Sequence, residues 1–188
     1  MMEFNCLINK AIEVAAKAHE GHYRKVTGIP YIVHPFEVAL ILQENGCSEE
    51  VIAAGILHDT LEDTELTKED ILKEFGKNIL ELVLGASEEL EGRKNRSWND
   101  RKLHTVEYVK NTSLEIKMIT CADKLSNIRS MINCHKEMGG KLWDNFNAPY
   151  ERQKWYYNSL VESLKGMEKF KMYIQFKEAV NYLFEEIP

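Results

Sequence analysis

Residues 48–63 read SEEVIAAGILHDTLED, and their order decides the fold. Ser48 carries the short hydroxyl side chain favoured at a helix N-cap. From Val51 to Leu57 the segment is apolar on most sides, so it reads as a helix buried at the centre of a core. The chain then becomes polar at once, in His58-Asp59-Thr60-Leu61-Glu62-Asp63. A helix C-terminus carries partial negative charge and favours Lys or Arg, each such match being worth about 0.3–1 kcal/mol. Here Asp59, Glu62, Asp63 and Glu65 gather with no basic residue before Lys68. Either a fresh helical turn starts near Thr60 and makes Glu62 and Asp63 N-terminal acids on a solvated surface, or a cation neutralises the group. His58 with Glu62, and Asp59 with Asp63, stand four residues apart and share one side of a helix, so several of them could reach one cation.

Outward from this segment, apolar residues recur at three- and four-residue spacing, and sustained period-two alternation is hard to find. The expectation is an all-α domain. A first helix spans about Asn5 to Glu20, with Leu7, Ile8, Ala11, Ile12, Ala15 and Ala18 inward, and stops at Gly21. A loop from His22 to Val33 follows, then a helix with Pro35 at its first position that ends at Asn45-Gly46. Thr67 and Asp70 form a capping pair for a helix through Phe75, broken by Gly76 before a helix from Ile79 to Leu84. Ser97 and Ser113 cap helices through Tyr108 and about Cys134. After Gly139-Gly140, Asn147 and Pro149 open a helix through Leu164, and an amphipathic segment from Phe170 to Ile187 closes the chain.

The 188 residues fit one domain, with no repeat or linker to divide them. The 44% apolar content excludes disorder as a description of the whole. A net charge of −6 argues against a general nucleic-acid or anionic-membrane binder, so any anionic ligand must be met by local positive charge. The longest apolar run, Val51 to Leu57, is far shorter than the ~20 residues that span a bilayer. The opening MMEFNCLINK lacks a basic region followed by an apolar run and a cleavage site, and Cys6, Cys47, Cys121 and Cys134 show no paired spacing. These features predict a cytoplasmic protein with reduced thiols.

Two more polar residues sit among apolar neighbours. His34 follows Tyr31-Ile32-Val33 at a helix start, where a satisfied core histidine is the common alternative to a ligand. Asp123 shares a helical face with Ile116, Ile119, Asn127 and Ser130, and a buried carboxylate there is costly unless paired or bound to metal. Arg129 lies on another face, and Lys124 points about 100° away, so a partner from another helix is the expectation. Two imidazoles and two hard carboxylates suit Mn²⁺, Fe²⁺ or a similar octahedral ion, with positions left open for water.

The ordered set His34, His58-Asp59 and Asp123 resembles the HD superfamily of metal-dependent phosphohydrolases. Four stretches sharpen it: AHEGHYRKVTGIPYIVHP (Ala18 to Pro35), AAGILHDTLEDT (Ala53 to Thr64), EDILKEFG (Glu69 to Gly76) and CADKLSNIRSM (Cys121 to Met131). They are similar to the hydrolase domain of the guanosine tetraphosphate enzymes, the Rel/Spo proteins and the stand-alone small alarmone hydrolases. FNAPYERQKWYYNSL, from Phe146, is similar to a segment of small stand-alone members. The resemblance implies one HD-type helical bundle over residues 1–188, its metal site at the centre of the helices, its motif-bearing core at about 5–135 and C-terminal helices at about 147–187.

The same resemblance implies removal of the 3′-pyrophosphate of guanosine tetra- or pentaphosphate, giving GDP or GTP and pyrophosphate. It makes His34, His58, Asp59 and Asp123 the Mn²⁺ ligands and Glu62-Asp63 the group that orients or deprotonates the attacking water. Arg24 and Lys25 match base contacts and Asn127 a ribose contact, while Thr27, Tyr31, Arg129 and Ser130 fall at positions lining the pocket. Thr27 stands where serine is usual, His22 where glutamine is common, and one extra residue separates Lys25 from His34. The other readings are an HD phosphohydrolase acting on an NTP, a dNTP or NADPH, and a catalytically silent nucleotide-sensing module.

Arg93, Lys94, Arg96, Arg101 and Lys102 with Asp100 give a local charge of +4. This segment reads either as a solvated loop and helix start or as a loop from which one or two side chains reach a distal phosphate. Trp143, Trp155, Tyr156 and Tyr157 read as packing residues, and His19, His104 and His135 as ordinary histidines.

Overall fold

Helix α3 (Glu49–Leu57) is buried at every position from Val51 to Leu57, and the rest of the molecule is arranged around it. The computed structural model describes residues 6–88, 92 and 95–186, so Arg93 and Lys94 lie outside the described residues, as do the first and last residues of the two terminal helices expected from sequence. Ser48 caps α3 as its type predicts, its Oγ accepting from the Val51 N–H at 3.4 Å. Four helices pack on α3: α1 (Cys6–Ala18), α2 (Val33–Glu44), α5 (Lys68–Ala86) and α7 (Leu114–Met138). Between α3 and α5 lies the single turn α4 (Thr60–Asp63). Beyond them, α6 (Trp98–Asn111) pairs with α8 (Tyr150–Ser163), and α9 (Lys171–Asn181) lies along α7. No strand occurs among the described residues, and the fold is all-α.

The close approach of α2 to α3 depends on Gly55. A Cβ built there would meet Leu42 Cδ1 at 2.4 Å and Val38 Cγ1 at 3.3 Å, both on fully buried side chains. α5 bends at Gly76, whose φ of 83° leaves the helical region, and a Thr67–Asp70 capping box opens it. Both features follow the sequence reading.

Several boundaries differ. α2 begins at Val33, two residues before Pro35, because Ile32 already has helical dihedrals (φ −56°, ψ −20°). α7 runs on to Met138 and ends only where Gly139 takes φ 59°. α8 starts at Tyr150, after Pro149 in extended conformation, rather than at Asn147. α9 ends at Asn181 and continues as a wider π-type turn through Glu186. Trp155 is 41% exposed and so is not a packing residue, whereas His19, which the sequence does not set apart from other histidines, is buried. No described helix is long and apolar enough to cross a membrane.

Gly55→Val should lower the unfolding free energy by about 1–3 kcal/mol, since Leu42 and Val38 cannot yield without repacking. Gly140→Ala, with nothing within 4 Å of its Cβ position, should stay within about 0.5 kcal/mol in the same urea titration.

Candidate metal centre

His58 closes α3 and Asp59 precedes α4, and both keep right-handed helical dihedrals (φ −56°, ψ −37° and φ −90°, ψ −8°). The fresh turn therefore does begin at Thr60, and it delivers His58 and Asp59 together at the inner end of the buried helix. His34 comes from the first turn of α2 and Asp123 from the middle of α7. Their polar atoms converge. His58 Nε2 lies 3.1 Å from Asp59 Oδ1 and 3.8 Å from Asp123 Oδ1, and His34 Nε2 lies 3.6 Å from Asp59 Oδ2 and 3.2 Å from Asp123 Oδ1. One atom from each of His34, His58 and Asp59 fits within a 4.8 Å sphere of mutual distances, a spacing suited to a metal ion.

The tautomers follow from the hydrogen bonds. His58 Nδ1 is 2.8 Å from the Gly55 carbonyl, which can only accept, so Nδ1 carries a proton and Nε2 is the nitrogen left to face a metal. His58 Nε2 is buried and has no hydrogen-bond partner among the described residues. Behind His34, the Ser126 hydroxyl donates to Glu37 Oε2 at 2.7 Å, leaving its oxygen to accept from His34 Nδ1 at 2.8 Å. Both Nε2 atoms thus face the two carboxylates. This donor set, with an orphaned buried nitrogen at its centre, fits a divalent ion with open positions.

Asp123 finds its expected partner from another helix in His34, and a second one in Lys124 that its helical angle argued against. Its Oδ2 is 2.7 Å from Lys124 Nζ, although the two residues are adjacent in sequence. The flexible lysine stem swings across the ~100° that separates their Cβ directions. Asn127 Nδ2 donates to the other oxygen at 2.5 Å, and Asn127 Oδ1 accepts from Arg24 Nη2 at 3.1 Å. Tyr31 donates to Asp59 Oδ2 at 2.6 Å, with the Arg24 guanidinium over one side of its ring and His19 at 4.8 Å.

Electrostatics reflect the crowding. Burial opposes ionisation of Asp123, yet Lys124, His34 and His58 hold its carboxyl well below the usual range. Burial likewise opposes charge on His58, but Asp59 and Asp123 outweigh it and raise the imidazole well above 6.5. His19, where burial outweighs the attraction of Asp59, falls to about 4.

A cavity of about 250 Å³ opens on Asp59 and Asp123 and is also lined by Glu62, Glu88, Arg101, Lys102 and Lys124. A second of about 440 Å³ is lined by Arg24, Lys25, Thr27, Tyr31, Asn127 and Ser130. The two share Trp98, Lys102, Lys124, Asn147 and Tyr156 as walls. Glu62 is held by the Glu88 N–H at 2.5 Å, while Asp63 is exposed and lines neither cavity. Arg129 stands apart, exposed and donating to Gln175 at 3.1 Å, on a separate groove behind His34. Ser126 and Glu37 escaped the sequence reading, though each lies three residues, one turn, from a proposed ligand. Nothing local to Glu88 or Tyr156 announces a role.

The model for the "HD domain" family matches residues 11–143. The human guanosine-3′,5′-bis(diphosphate) 3′-pyrophosphohydrolase MESH1 is 33% identical over 94% of this chain and 92% of that protein. A guanosine-3′,5′-bis(diphosphate) 3′-pyrophosphohydrolase of Borreliella burgdorferi is 31% identical over 95% of this chain. The chain spans only 27% of that bacterial protein and 19% of a like-named one from Aquifex aeolicus. Among solved structures, lmo0812 from Listeria monocytogenes superposes with a TM-score of 0.74 at 36% identity, covering 81% of this chain and 99% of its own. A metazoan SpoT ortholog, described as hydrolysing ppGpp, superposes with a TM-score of 0.78 at 26% identity over 97% of this chain and 98% of its own. With His34, His58, Asp59 and Asp123 all inside the matched span, the chain belongs to the HD domain family, which implies a divalent metal ion.

Proposed function

We propose that the protein removes the 3′-pyrophosphate of guanosine tetra- or pentaphosphate, releasing pyrophosphate and GDP or GTP. The observation that carries this reading is the pair of imidazole Nε2 atoms facing Asp59 and Asp123 beside a cavity walled by Lys102 and Lys124. The likeness to MESH1 over nearly the whole chain supports the substrate. On this reading His34, His58, Asp59 and Asp123 hold Mn²⁺, and the chain forms one HD phosphohydrolase domain over 1–188, with its core at about 5–135 and C-terminal helices at about 147–187. When bound, such an ion supplies Lewis acidity and lowers the pKa of water.

The chain's own residues do the rest. Glu62, fixed by the Glu88 N–H, accepts the proton of the attacking water, and Asp63 adds negative charge on the same turn. The water oxygen bonds to phosphorus as the bond to the ribose 3′-oxygen breaks, and that oxygen takes up a proton. Tyr31 orients the Asp59 carboxylate, and Asn127 links Asp123 to Arg24. Arg24, Lys25, Thr27 and Ser130 face the nucleoside from the larger cavity, while Arg129, bonded to Gln175, lines the groove behind it. The free thiols of Cys47, Cys121 and Cys134 fit a reducing cytoplasm.

The decisive assay offers metal-reconstituted protein guanosine tetraphosphate, dNTPs and NADPH, measuring pyrophosphate and phosphate separately. Pyrophosphate from the alarmone alone is expected; phosphate from a dNTP or NADPH, or tight binding without product, overturns the reading. Asp59→Ala should abolish turnover and bound metal together, read by metal analysis of the purified protein. Glu62→Gln should keep the metal and lose about 10²–10⁴ in kcat, the range for a general base. Protons compete with metal for His58, whose affinity for them is raised by the two carboxylates. Metal affinity should therefore fall as pH drops, and calorimetry in buffers of different ionisation enthalpy should register proton release on binding.

A further inference from the structure

In the smaller cavity, two cations face the proposed reaction centre with an internal anion between them. Arg101 Nη1 lies 2.7 Å from Glu88 Oε2, and Lys102 Nζ contacts Glu88 Oε1. The three side chains are only 21%, 18% and 12% exposed. Asp59, Glu62 and Asp123 line the same cavity. Each carboxylate oxygen meets its own cation, the arrangement that two non-bridging oxygens of a phosphoryl group would adopt.

We propose that Arg101 and Lys102 form the seat for a phosphoryl group of the substrate, and that the Glu88 carboxylate occupies this seat until the substrate displaces it. The inference rests on the proposed function for the identity of the ligand. Lys124, the other cation among the described residues lining this cavity, is committed to Asp123 at 2.7 Å, beside the metal cluster. Arg101 and Lys102 are committed instead to a side chain beyond the end of α5, on a segment separate from their own helix. Lys102 also lies 4.9 Å over the ring of Tyr156, a wall shared by the two cavities, so it stands where the nucleoside end and the reacting end of a ligand meet.

Glu88 is built for this exchange. Its backbone N–H holds Glu62 Oε1 at 2.5 Å, and the preceding Ser87 hydroxyl donates to the His58 carbonyl at 2.9 Å. The main chain is therefore pinned to the metal-binding turn, while the side chain alone engages the cations. Departure of the carboxylate leaves Glu62 in place. Burial works against the charged carboxylate, but Lys102, then Lys124 and Arg101, hold its pKa down to about 2, so it remains an anion at neutral pH and competes with phosphate throughout that range.

Inorganic pyrophosphate is the probe, titrated calorimetrically into the full chain in EDTA and again with Mn²⁺. Glu88→Gln keeps the side-chain shape and the N–H to Glu62 but removes the competing charge. It should bind pyrophosphate at least about fivefold more tightly in both buffers, and adding Lys102→Met should reverse the gain. Unchanged or weaker binding by Glu88→Gln, or a gain that survives Lys102→Met, overturns the seat. Thermal melts check folding. If Glu88→Gln does not fold, Lys102→Met alone decides, since an unaltered pyrophosphate affinity is then the overturning result. In turnover, Glu88→Gln should lower KM, whereas a merely structural tie would leave KM unmoved and lower stability. Wild-type protein that binds pyrophosphate as expected but spares guanosine tetraphosphate would overturn the substrate assignment alone. Cleavage of the alarmone with no response to Glu88→Gln would overturn the seat alone.

Discussion

Two carboxylates face two imidazoles in the interior of this helical bundle, and the rest of the structure answers to their charge. Asp123 is 6% exposed and Asp59 sits beside it at the end of the most buried helix. Removing an ion from water costs several kcal/mol even after relaxation, so such groups persist only when paired and hydrogen-bonded. Lys124, Asn127 and Tyr31 each serve one of them, and the histidines turn their Nε2 atoms toward the same point, where a cation would be held. The apolar jacket from α1, α2, α5 and α7 keeps the dielectric low, which strengthens every one of these interactions.

The element order and the cluster were legible because each depends on local chemistry. Ser48, Ser97 and Ser113 sit at helix starts and cap them, and Gly76 breaks α5 where the periodicity lapses. The all-apolar run from Val51 to Leu57 could belong only to a central helix, and acids at its C-terminal end conflict with the helix dipole unless a cation is near. His34 and Asp123 were visible as polar residues on apolar faces.

What escaped were relations set by side-chain reach and tertiary approach. Lys124 was discounted from its helical angle, but a four-carbon stem is not bound by its Cβ direction. Trp155 lies at helical spacing with its aromatic neighbours, yet α8 turns it outward, while Tyr156 and Tyr157 beside it are buried. His19 reads as one more histidine until the loop folds Tyr31 against it. Glu88 has no local signature, since its meaning comes from α6 lying across the cavity from α4.

Net charge illustrates the same distinction between sum and placement. A total of −6 reads as a poor host for anions, yet in the cavity walls Asp123 meets Lys124 and Glu88 meets Arg101 and Lys102. Chain connectivity separates the two pairings. Asp123 and Lys124 are adjacent in sequence on one helix, so the lysine cannot leave without stranding the Asp123 carboxylate in the core. Glu88 and its partners sit on different segments, so the carboxylate can turn away and leave its place to water or a phosphoryl oxygen. The same chemical contact is thus a fixed part of the core in one place and an exchangeable one in the other, and the chain's connectivity decides which.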